Sequence, residues 1–266
     1  METPKLSMRG IVKRFGGVTA LDGVDFEVRR GEVMALVGDN GAGKSTLIKA
    51  LAGAYQPDAG TMLLDGREVR FSSPQDAWSN GVATIFQELA LAGKMTVADN
   101  IFLGREIVRR VAGIPFLDRR EMLRRSEALL DELHVEIPDI QVWVEYLSGG
   151  QRQGVAIARA LNIEADLIVM DEPTAALAVA EVRKVLGFID TLRGQGKSVI
   201  LISHNIQDVF TVSDRITVLR RGQNAGLIVT HQSTPEEVVA RITGAATAEK
   251  RAPEAESEQT TIQQGG

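Results

Sequence analysis

The sequence predicts an α/β protein with a mostly parallel sheet. Short runs of strand length, at residues 33–37, 167–170 and 198–203, are separated by segments whose apolar residues recur at helical spacing. Strands that alternate with helices form a parallel sheet covered on both faces. The 266 residues, 44% of them apolar and 24% charged, suffice for one large domain or for a core with a small subdomain.

The N-terminal part predicts an antiparallel β portion. Residues 6–15 and 24–28 have the composition of short strands, and a turn at residues 29–31 leads into the next apolar run. Further on, residues 61–64 and 69–71 flank an Asp-Gly turn and predict a hairpin. Residues 82–86 predict another apolar strand.

The stretch from about residue 89 to residue 161 changes character and is mainly helical by its pattern. Asp118 can cap a helix whose apolar residues fall on one face. Because the alternation of strands and helices resumes only at residue 166, we predict an inserted helical subdomain. We expect one domain over residues 1–244 and, since almost no large apolar side chain follows, a disordered polar tail over residues 245–266.

Two further helices are predicted in the C-terminal half. The first lies between the strands at 167–170 and 198–203, with its apolar residues on one face. The second begins with Thr234 as N-cap, proline at the first helical position and Glu237 as the glutamate of a capping box.

The segment that follows the apolar run at 33–37 fits the pattern G-x-x-x-x-G-K-[ST] in full. Glycine lets backbone N–H groups close around phosphate oxygens, and the helix that follows directs its positive end toward them. We expect Lys44 to reach the β- and γ-phosphates and Ser45 to offer its hydroxyl to Mg²⁺. The segment predicts nucleotide binding. Its residues are Gly38, Asp39, Asn40, Gly41, Ala42, Gly43, Lys44, Ser45 and Thr46.

Two carboxylates, Asp171 and Glu172, end the apolar strand at 167–170. By themselves, two acids after a strand are more often the N-cap region of a helix. With a phosphate loop in the same chain, the pattern favours Asp171 as a partner of Mg²⁺. Glu172 is then placed to orient and deprotonate the attacking water.

A second glycine-rich helix start follows at residues 147–151, ahead of a helical segment. Its N–H groups and a serine hydroxyl could hold phosphate, and a glycine-containing helix cap is the alternative interpretation. An aromatic residue at position 15 could stack on adenine, although a core phenylalanine is the commoner case. The five residues of this helix start are Leu147, Ser148, Gly149, Gly150 and Gln151.

With these motifs in place, the chain resembles the ATP-binding subunit of an ABC transporter over residues 6–244. The phosphate loop, Gln87, residues 147–151, the acidic pair and His204 occur in the order and approximate spacing of that family. The resemblance implies an ABC ATPase fold. That fold is a P-loop NTPase core with a mostly parallel sheet, an N-terminal antiparallel β portion and an inserted helical subdomain.

The resemblance also implies roles for single residues. Phe15 matches the aromatic that stacks on adenine. Gln87 matches the glutamine that contacts Mg²⁺ or the water and begins the segment facing the membrane subunits. Residues 147–151 match the signature that closes on the nucleotide held by the other copy. His204 matches the switch histidine near the γ-phosphate, while one position departs from the family: Ala178 stands where an aspartate usually helps to couple the two sites.

The finer resemblance is to carbohydrate importers of the ribose, xylose and fructose type, with the single-cassette fructose subunit as the most specific match. It is carried by residues 87–91, 98–106, 149–155 and 201–205. It implies two copies, or one copy with a partner cassette, on membrane-embedded permease subunits at the cytoplasmic face of the cell membrane. It also implies a separate extracytoplasmic sugar-binding protein, since this sequence shows no sugar pocket.

Composition limits the alternatives. A net charge of −5 argues against wholesale nucleic-acid binding, and the absence of cysteine excludes disulfides and thiolate metal sites. The apolar runs are far below the ~18 residues that span a bilayer, and residues 1–10 lack the core of a signal peptide. Six clustered arginines predict a solvated basic face, with a surface near lipid head groups or nucleic acid as the alternative. They are Arg109, Arg110, Arg119, Arg120, Arg124 and Arg125.

Two other functions stay open at this point. A soluble ABC ATPase acting on DNA or ribosomes would be expected to carry long coiled coils, zinc modules or a second cassette, and the sequence shows none of them. A nucleotide-binding regulatory subunit that does not hydrolyse is disfavoured by Glu172 and His204, but Ala178 favours it.

Overall fold

The computed structural model describes residues 3–111 and 114–245. The strands are β1 (Leu6–Phe15), β2 (Val18–Val28), β3 (Val33–Val37), β4 (Ala59–Leu64), β5 (Arg67–Glu68), β6 (Val82–Ile85), β7 (Val108–Val111), β8 (Ile114–Leu117), β9 (Leu167–Asp171), β10 (Ser198–Ile202), β11 (Arg215–Arg220) and β12 (Gln223–Val229). The helices are α1 (Lys44–Leu51), α2 (Pro74–Ser79), α3 (Val97–Phe102), α4 (Arg119–Glu132), α5 (Gly149–Asn162), α6 (Val179–Gly194), α7 (Ile206–Val212) and α8 (Pro235–Thr243).

Six strands form the central sheet, in the order β12-β11-β3-β10-β9-β6. All neighbours are parallel except β11 and β12. Every residue of β3 and β10 is buried, as expected for central strands covered on both faces. The predicted α/β class with a mostly parallel sheet is therefore confirmed. Because β3, β10, β9 and β6 run in the same direction, the loops after them leave the sheet at one edge.

The antiparallel portion is a second sheet with the order β2-β1-β4-β5. Its hairpin differs from the prediction, because the second strand is β5 and not residues 69–71. Asp65 and Gly66 both have positive φ, 52° and 76°, and form a two-residue turn that sets the register at once. Phe71 instead packs into the core beside this sheet, where it is 3% exposed.

The segment between β6 and β9 contains α3, α4 and α5, and also the hairpin β7-β8. The prediction of a mainly helical stretch over residues 89–161 missed this hairpin. Residues 108–110 and 114–117 of its strands are all exposed, so they lack the alternation of apolar with polar residues that marks a half-buried strand. The exposed apolar side chains are Val108, Ile114, Phe116 and Leu117.

Helix α4 begins as predicted, with the Asp118 carboxylate accepting a hydrogen bond from the N–H of Glu121 at 3.2 Å. Of the five residues whose spacing predicts the inner face, Met122, Ser126, Leu130 and Leu133 are buried and Leu129 is half-buried. On the outer face, Arg124 and Arg125 donate hydrogen bonds to Glu121, and these bonds lower the pKa of that carboxyl to about 2. The six arginines of this region are all exposed, in agreement with a solvated basic face.

Helix α8 begins at Pro235, after Thr234, whose hydroxyl accepts a hydrogen bond from the N–H of Glu237 at 3.3 Å. Only half of the predicted capping box forms, because the Glu237 carboxylate pairs with Arg241 at 2.8 Å. Among the described residues, none of the helices has the length and hydropathy of a membrane span. The predicted disordered tail, apart from residue 245, lies outside the described residues, and the domain boundaries stay a prediction.

Candidate nucleotide-binding site

The phosphate loop connects β3 to α1 and depends on glycine at both ends. Gly43 precedes α1 with φ of 104°, and a Cβ there would lie 2.8 Å from the Ala20 carbonyl oxygen. At Gly38 a Cβ would lie 2.2 Å from the carbonyl oxygen of Leu219. Any side chain at these positions would push the loop away from β2 and β11. In the part of the chain that the structure describes, no side chain caps α1, so its first N–H groups are available to an anion.

Lys44 lies across this loop. Its ammonium donates hydrogen bonds to the carbonyl oxygens of Gly38 at 2.7 Å and Asp39 at 3.1 Å. The positive charge is thus held against the backbone of the loop. Charge-assisted hydrogen bonds of this kind hold a flexible lysine in one place.

Asp171 ends β9 opposite Ile202 of β10. Burial raises the pKa of the Asp171 carboxyl, and so does the charge of Glu172, while Lys44 and Lys49 act in the opposite direction. The carboxylate is therefore in an electrostatically costly place unless a cation is near. The oxygen donors predicted for Mg²⁺ are those of Asp171, Ser45 and Gln87, and such hard oxygen donors fit Mg²⁺.

Glu172 and His204 are brought together by neighbouring strands. The His204 Nδ1 atom lies 2.6 Å from the Glu172 Oε2 atom. Glu172 has φ of 52°, a rare conformation for a residue other than glycine, and its N–H is fixed by the Ile202 carbonyl at 2.9 Å. The Glu172 side chain is only 16% exposed, whereas that of His204 is 75% exposed. The histidine can therefore reach a ligand from the solvent side while it holds the glutamate.

Gln87 follows β6, and it lines the same cleft as Glu172 and Gly149. The cleft has a volume of about 430 Å³ and lies between the ends of the central strands and the inserted segment. The structure therefore unites the phosphate loop, Gln87, Asp171, Glu172 and His204 at one edge of the sheet.

Residues 147–151 form the helix cap that the alternative interpretation predicted. Ser148 and Gln151 make a reciprocal capping box, with bonds of 3.3 and 3.0 Å. The N–H of Gly150 donates to a carboxylate oxygen of Glu181 at 3.2 Å, and this bond holds the pKa of Glu181 below its usual range. Within one chain these groups bind protein, and their contact with a nucleotide held by another copy stays a prediction.

Phe15 does not belong to the core, because its side chain is 43% exposed. The ring meets Tyr55 edge to face, with the centroids 5.3 Å apart and the planes at 73°. The Lys13 ammonium lies 5.5 Å from the centroid. Of the two roles considered for Phe15, the core role is wrong, and stacking on adenine stays a prediction.

Sequence reasoning missed two contacts at this site. Glu181 stands three residues after Ala178, the capping-box position, and that spacing could have identified it. The Thr174 hydroxyl donates to the buried Asp208 carboxylate at 2.7 Å and fixes the turn after Glu172. No local pattern relates Thr174 to Asp208, which lies 34 residues further along the chain.

The fold and the loop at Lys44 define a nucleotide-binding protein of the α/β class. The family model described as ABC transporter matches residues 21–175. The chain is 49% identical to a xylose/arabinose import ATP-binding protein of Sulfolobus acidocaldarius, over 90% of this chain and 92% of that protein. It is 48% identical to a fructose import ATP-binding protein of Rhizobium meliloti, over 92% and 95% of the two chains.

A solved structure, a nucleotide-free ATP-binding cassette from an ABC transporter, superposes with a TM-score of 0.76 at 26% identity. The superposition covers 94% of this chain and 100% of the other. The chain therefore belongs to the ABC transporter family, as one of its ATP-hydrolysing subunits.

Proposed function

We propose that this chain is the energy-coupling ATPase of an importer for a monosaccharide. The observation that carries the proposal is the pairing of Glu172 with His204 at 2.6 Å, at the same sheet edge as the lysine loop, in a chain 49% identical to a sugar import subunit. The relatives named above import xylose or arabinose in one case and fructose in the other, which supports a monosaccharide as the transported substrate.

In this proposal Mg-ATP binds at the phosphate loop. Lys44 and the first N–H groups of α1 hold the β- and γ-phosphates. Ser45, Asp171 and Gln87 hold Mg²⁺, which supplies charge neutralisation at the γ-phosphate when bound. Glu172 accepts the proton of the attacking water, and His204 fixes the carboxylate that does so. Phe15 offers the exposed face of its ring to adenine.

The same proposal requires a second cassette and a permease. Ser148, Gly149 and Gly150 of one copy contact the γ-phosphate bound by the other. ATP then has a higher affinity for the closed pair than for the open one, and only such a difference can drive closure. Closure moves permease subunits in the membrane, and the chain lies on their cytoplasmic face. A sugar-binding protein outside the membrane delivers the substrate.

The experiment compares Glu172→Gln with the unchanged chain, each co-expressed with the permease and the sugar-binding protein of the proposed importer. We expect turnover and sugar uptake to fall by roughly 10²- to 10⁴-fold, the contribution of a general base. ATP binding should be retained, because the lysine loop is intact. ATP hydrolysis by membranes and uptake of radiolabelled xylose, arabinose, fructose and ribose are the measurements.

Glu132→Gln is the matched control, since Glu132 is exposed at the end of α4. Equal turnover in Glu172→Gln and the control would remove Glu172 from the role of base. If the chain hydrolyses ATP but neither associates with membranes nor supports uptake of any of the four sugars, the importer function is contradicted and the soluble alternative is favoured.

A further inference from the structure

Arg159 ties helix α5 to the segment that carries Gln87. The residue lies near the C-terminal end of α5, the helix that begins at Gly149. One guanidinium nitrogen donates to the Leu89 carbonyl oxygen at 2.9 Å and another to the Ala90 carbonyl oxygen at 3.0 Å. These acceptors lie two and three residues after Gln87, so the guanidinium group binds the backbone just C-terminal to Gln87.

The positive charge of Arg159 lies in a partly desolvated environment, which is energetically unfavourable for a charged group. The side chain is partly buried, and burial lowers the pKa of its guanidinium. Across residues 3–111 and 114–245, no carboxylate lies within 4.0 Å of it. Within the same residues, its hydrogen bonds go to the two carbonyls alone. A guanidinium that is desolvated without a counter-ion destabilises the fold unless its hydrogen bonds compensate. This placement points to a role for the two bonds beyond packing.

The segment that Arg159 binds contains a residue with positive φ and is also held by a second side chain. Ala90 has φ of 49°, an uncommon value for alanine, and Arg159 bonds its carbonyl. Asn100 is fully buried, donates to the Ala92 carbonyl at 3.0 Å and accepts from the Ala92 N–H at 2.8 Å. In contrast, no hydrogen bond of the Gln87 side chain is found among the described residues. Gln87 is therefore positioned by its neighbours.

We propose that Arg159 is a positioning residue that couples Gln87 to the end of α5 that carries Gly149 and Gly150. This inference rests on the proposed function. Arg159 lies ten residues after Gly149, a distance of ~15 Å along one continuous helix. Because a helix of this length moves as a unit, a shift of its first turn also shifts the carbonyls that Arg159 holds. The position of Gln87 thereby depends on whether the nucleotide bound by the other copy contacts the first turn of α5.

The first test is the kinetics of Arg159→Gln. We expect kcat to fall roughly 10- to 100-fold, as for a small misplacement of a group at the reacting centre. KM for ATP should stay within about twofold, since the loop at Lys44 is untouched. Arg159→Lys should recover only part of the loss, because a single ammonium does not reproduce the planar fork.

Asn162→Ala is the matched control. Asn162 lies on the same helix three residues further on, and its side chain donates to the Ile101 carbonyl of α3 at 3.3 Å. It thus ties α5 to a neighbouring backbone without touching the Gln87 segment. We expect its kcat to match that of the unchanged chain. Thermal unfolding of all variants separates a folding defect from misplacement.

A double-mutant cycle with Gln87→Ala distinguishes positioning from general stability. If Arg159 acts through Gln87, Arg159→Gln lowers kcat no further in a Gln87→Ala chain. The proposal would be overturned if the kcat losses of Arg159→Gln and Gln87→Ala multiply in the double variant. It would also be overturned if Arg159→Gln has the same kcat as Asn162→Ala. Hydrogen exchange of amides 87–92 gives a readout free of hydrolysis, and it should accelerate in Arg159→Gln but not in Asn162→Ala. If the unsubstituted chain has no ATPase activity, the proposed function is wrong. Hydrogen exchange of amides 87–92 would still show whether Arg159 holds this segment in place.

Discussion

At the residue scale, Asp171 and Glu172 are chain neighbours with different surroundings. Asp171 is the last residue of β9, and its carboxylate interacts electrostatically with the ammonium groups of Lys44 and Lys49. Glu172 has left the strand with φ of 52° and bonds His204. The two carboxylates thus have different partners, as the separate roles predicted for Asp171 and Glu172 require.

We expect Asp171→Asn to stabilise the nucleotide-free chain. Burial, and then the charge of Glu172, raise the pKa of Asp171 above its ordinary value of 3.8. Since the folded state disfavours the ionised form, ionised Asp171 lowers stability once the pH exceeds that value, and protonation at lower pH removes the effect. At pH 7 the free energy of unfolding should therefore rise by about 1 kcal/mol, at the expense of Mg²⁺-dependent ATP binding.

Urea unfolding at pH 7 and pH 4 checks this expectation. The gap between Asp171→Asn and the unchanged chain should narrow at the lower pH. Asp131→Asn, an exposed substitution on α4, should leave both values unchanged. A destabilised Asp171→Asn chain at pH 7 would show that the carboxylate contributes hydrogen bonds that outweigh its burial.

Motifs predicted the site residues because the chemistry of phosphate and Mg²⁺ restricts residue type and spacing. Lys44 and Glu172 needed no tertiary information. The contacts made by Phe15 and Gly150 did need it, since Tyr55 lies 40 residues from Phe15 and Glu181 lies 31 residues from Gly150. Such contacts depend on how helices and sheets pack, and no local spacing encodes them.

At the element scale, α6 begins without a side-chain cap. Its N-cap is Ala178, with extended φ and ψ of −69° and 154°, and alanine has no acceptor to offer. The Glu181 carboxylate partly compensates by accepting from the Ala178 N–H at 3.4 Å. The same carboxylate also serves Gly150, so one side chain joins the starts of α5 and α6.

We expect Ala178→Ser to raise the free energy of unfolding by ~1 kcal/mol, the effect of a serine N-cap. Ala178→Asp should gain less, because its charge would face Glu181. Thermal unfolding is the measurement, and Ala180→Ser is the control, as that exposed position lies inside the first turn. If Ala178→Ser and Ala180→Ser behave alike, the helix start is not limited by its cap.

Buried elements were easier to predict than exposed ones. The apolar runs of β3, β9 and β10 identify central strands because both of their faces are covered. Strands β7 and β8 gave no signal, since their apolar residues face solvent on a two-stranded hairpin. The start of β2 at Val18 was missed for the same reason, as residues 18–20 are not buried.

At the scale of the whole molecule, each proposed catalytic site is shared between two copies. We expect mixing of Lys44→Ala with Ser148→Arg chains to restore turnover that neither has alone. In the mixed pair one site combines the intact lysine loop with the intact serine, and random pairing yields about a quarter of the normal sites. The resemblance implies that an aspartate which couples the two sites is replaced here by Ala178, so we expect the one intact site to turn over without its neighbour.

The control mixes Lys44→Ala with a chain that carries both substitutions, which offers no intact site. Turnover is measured after the copies have exchanged in the absence of ATP. Absence of recovery in the first mixture, with both variants folded, would place Ser148 and Lys44 in one chain's own site and contradict the shared arrangement.

The position of β6 at the end of the central sheet has a mechanical consequence. Among the described residues, β6 is hydrogen-bonded to β9 alone. The inserted segment leaves the core after β6 and returns at β9, the adjacent strand, so both of its attachments lie on one side. The ladders among β11, β3 and β10 do not include either attachment. A reorientation of Ser148 would leave these ladders intact, but it would have to break the bond from the Gly150 N–H to Glu181 of α6.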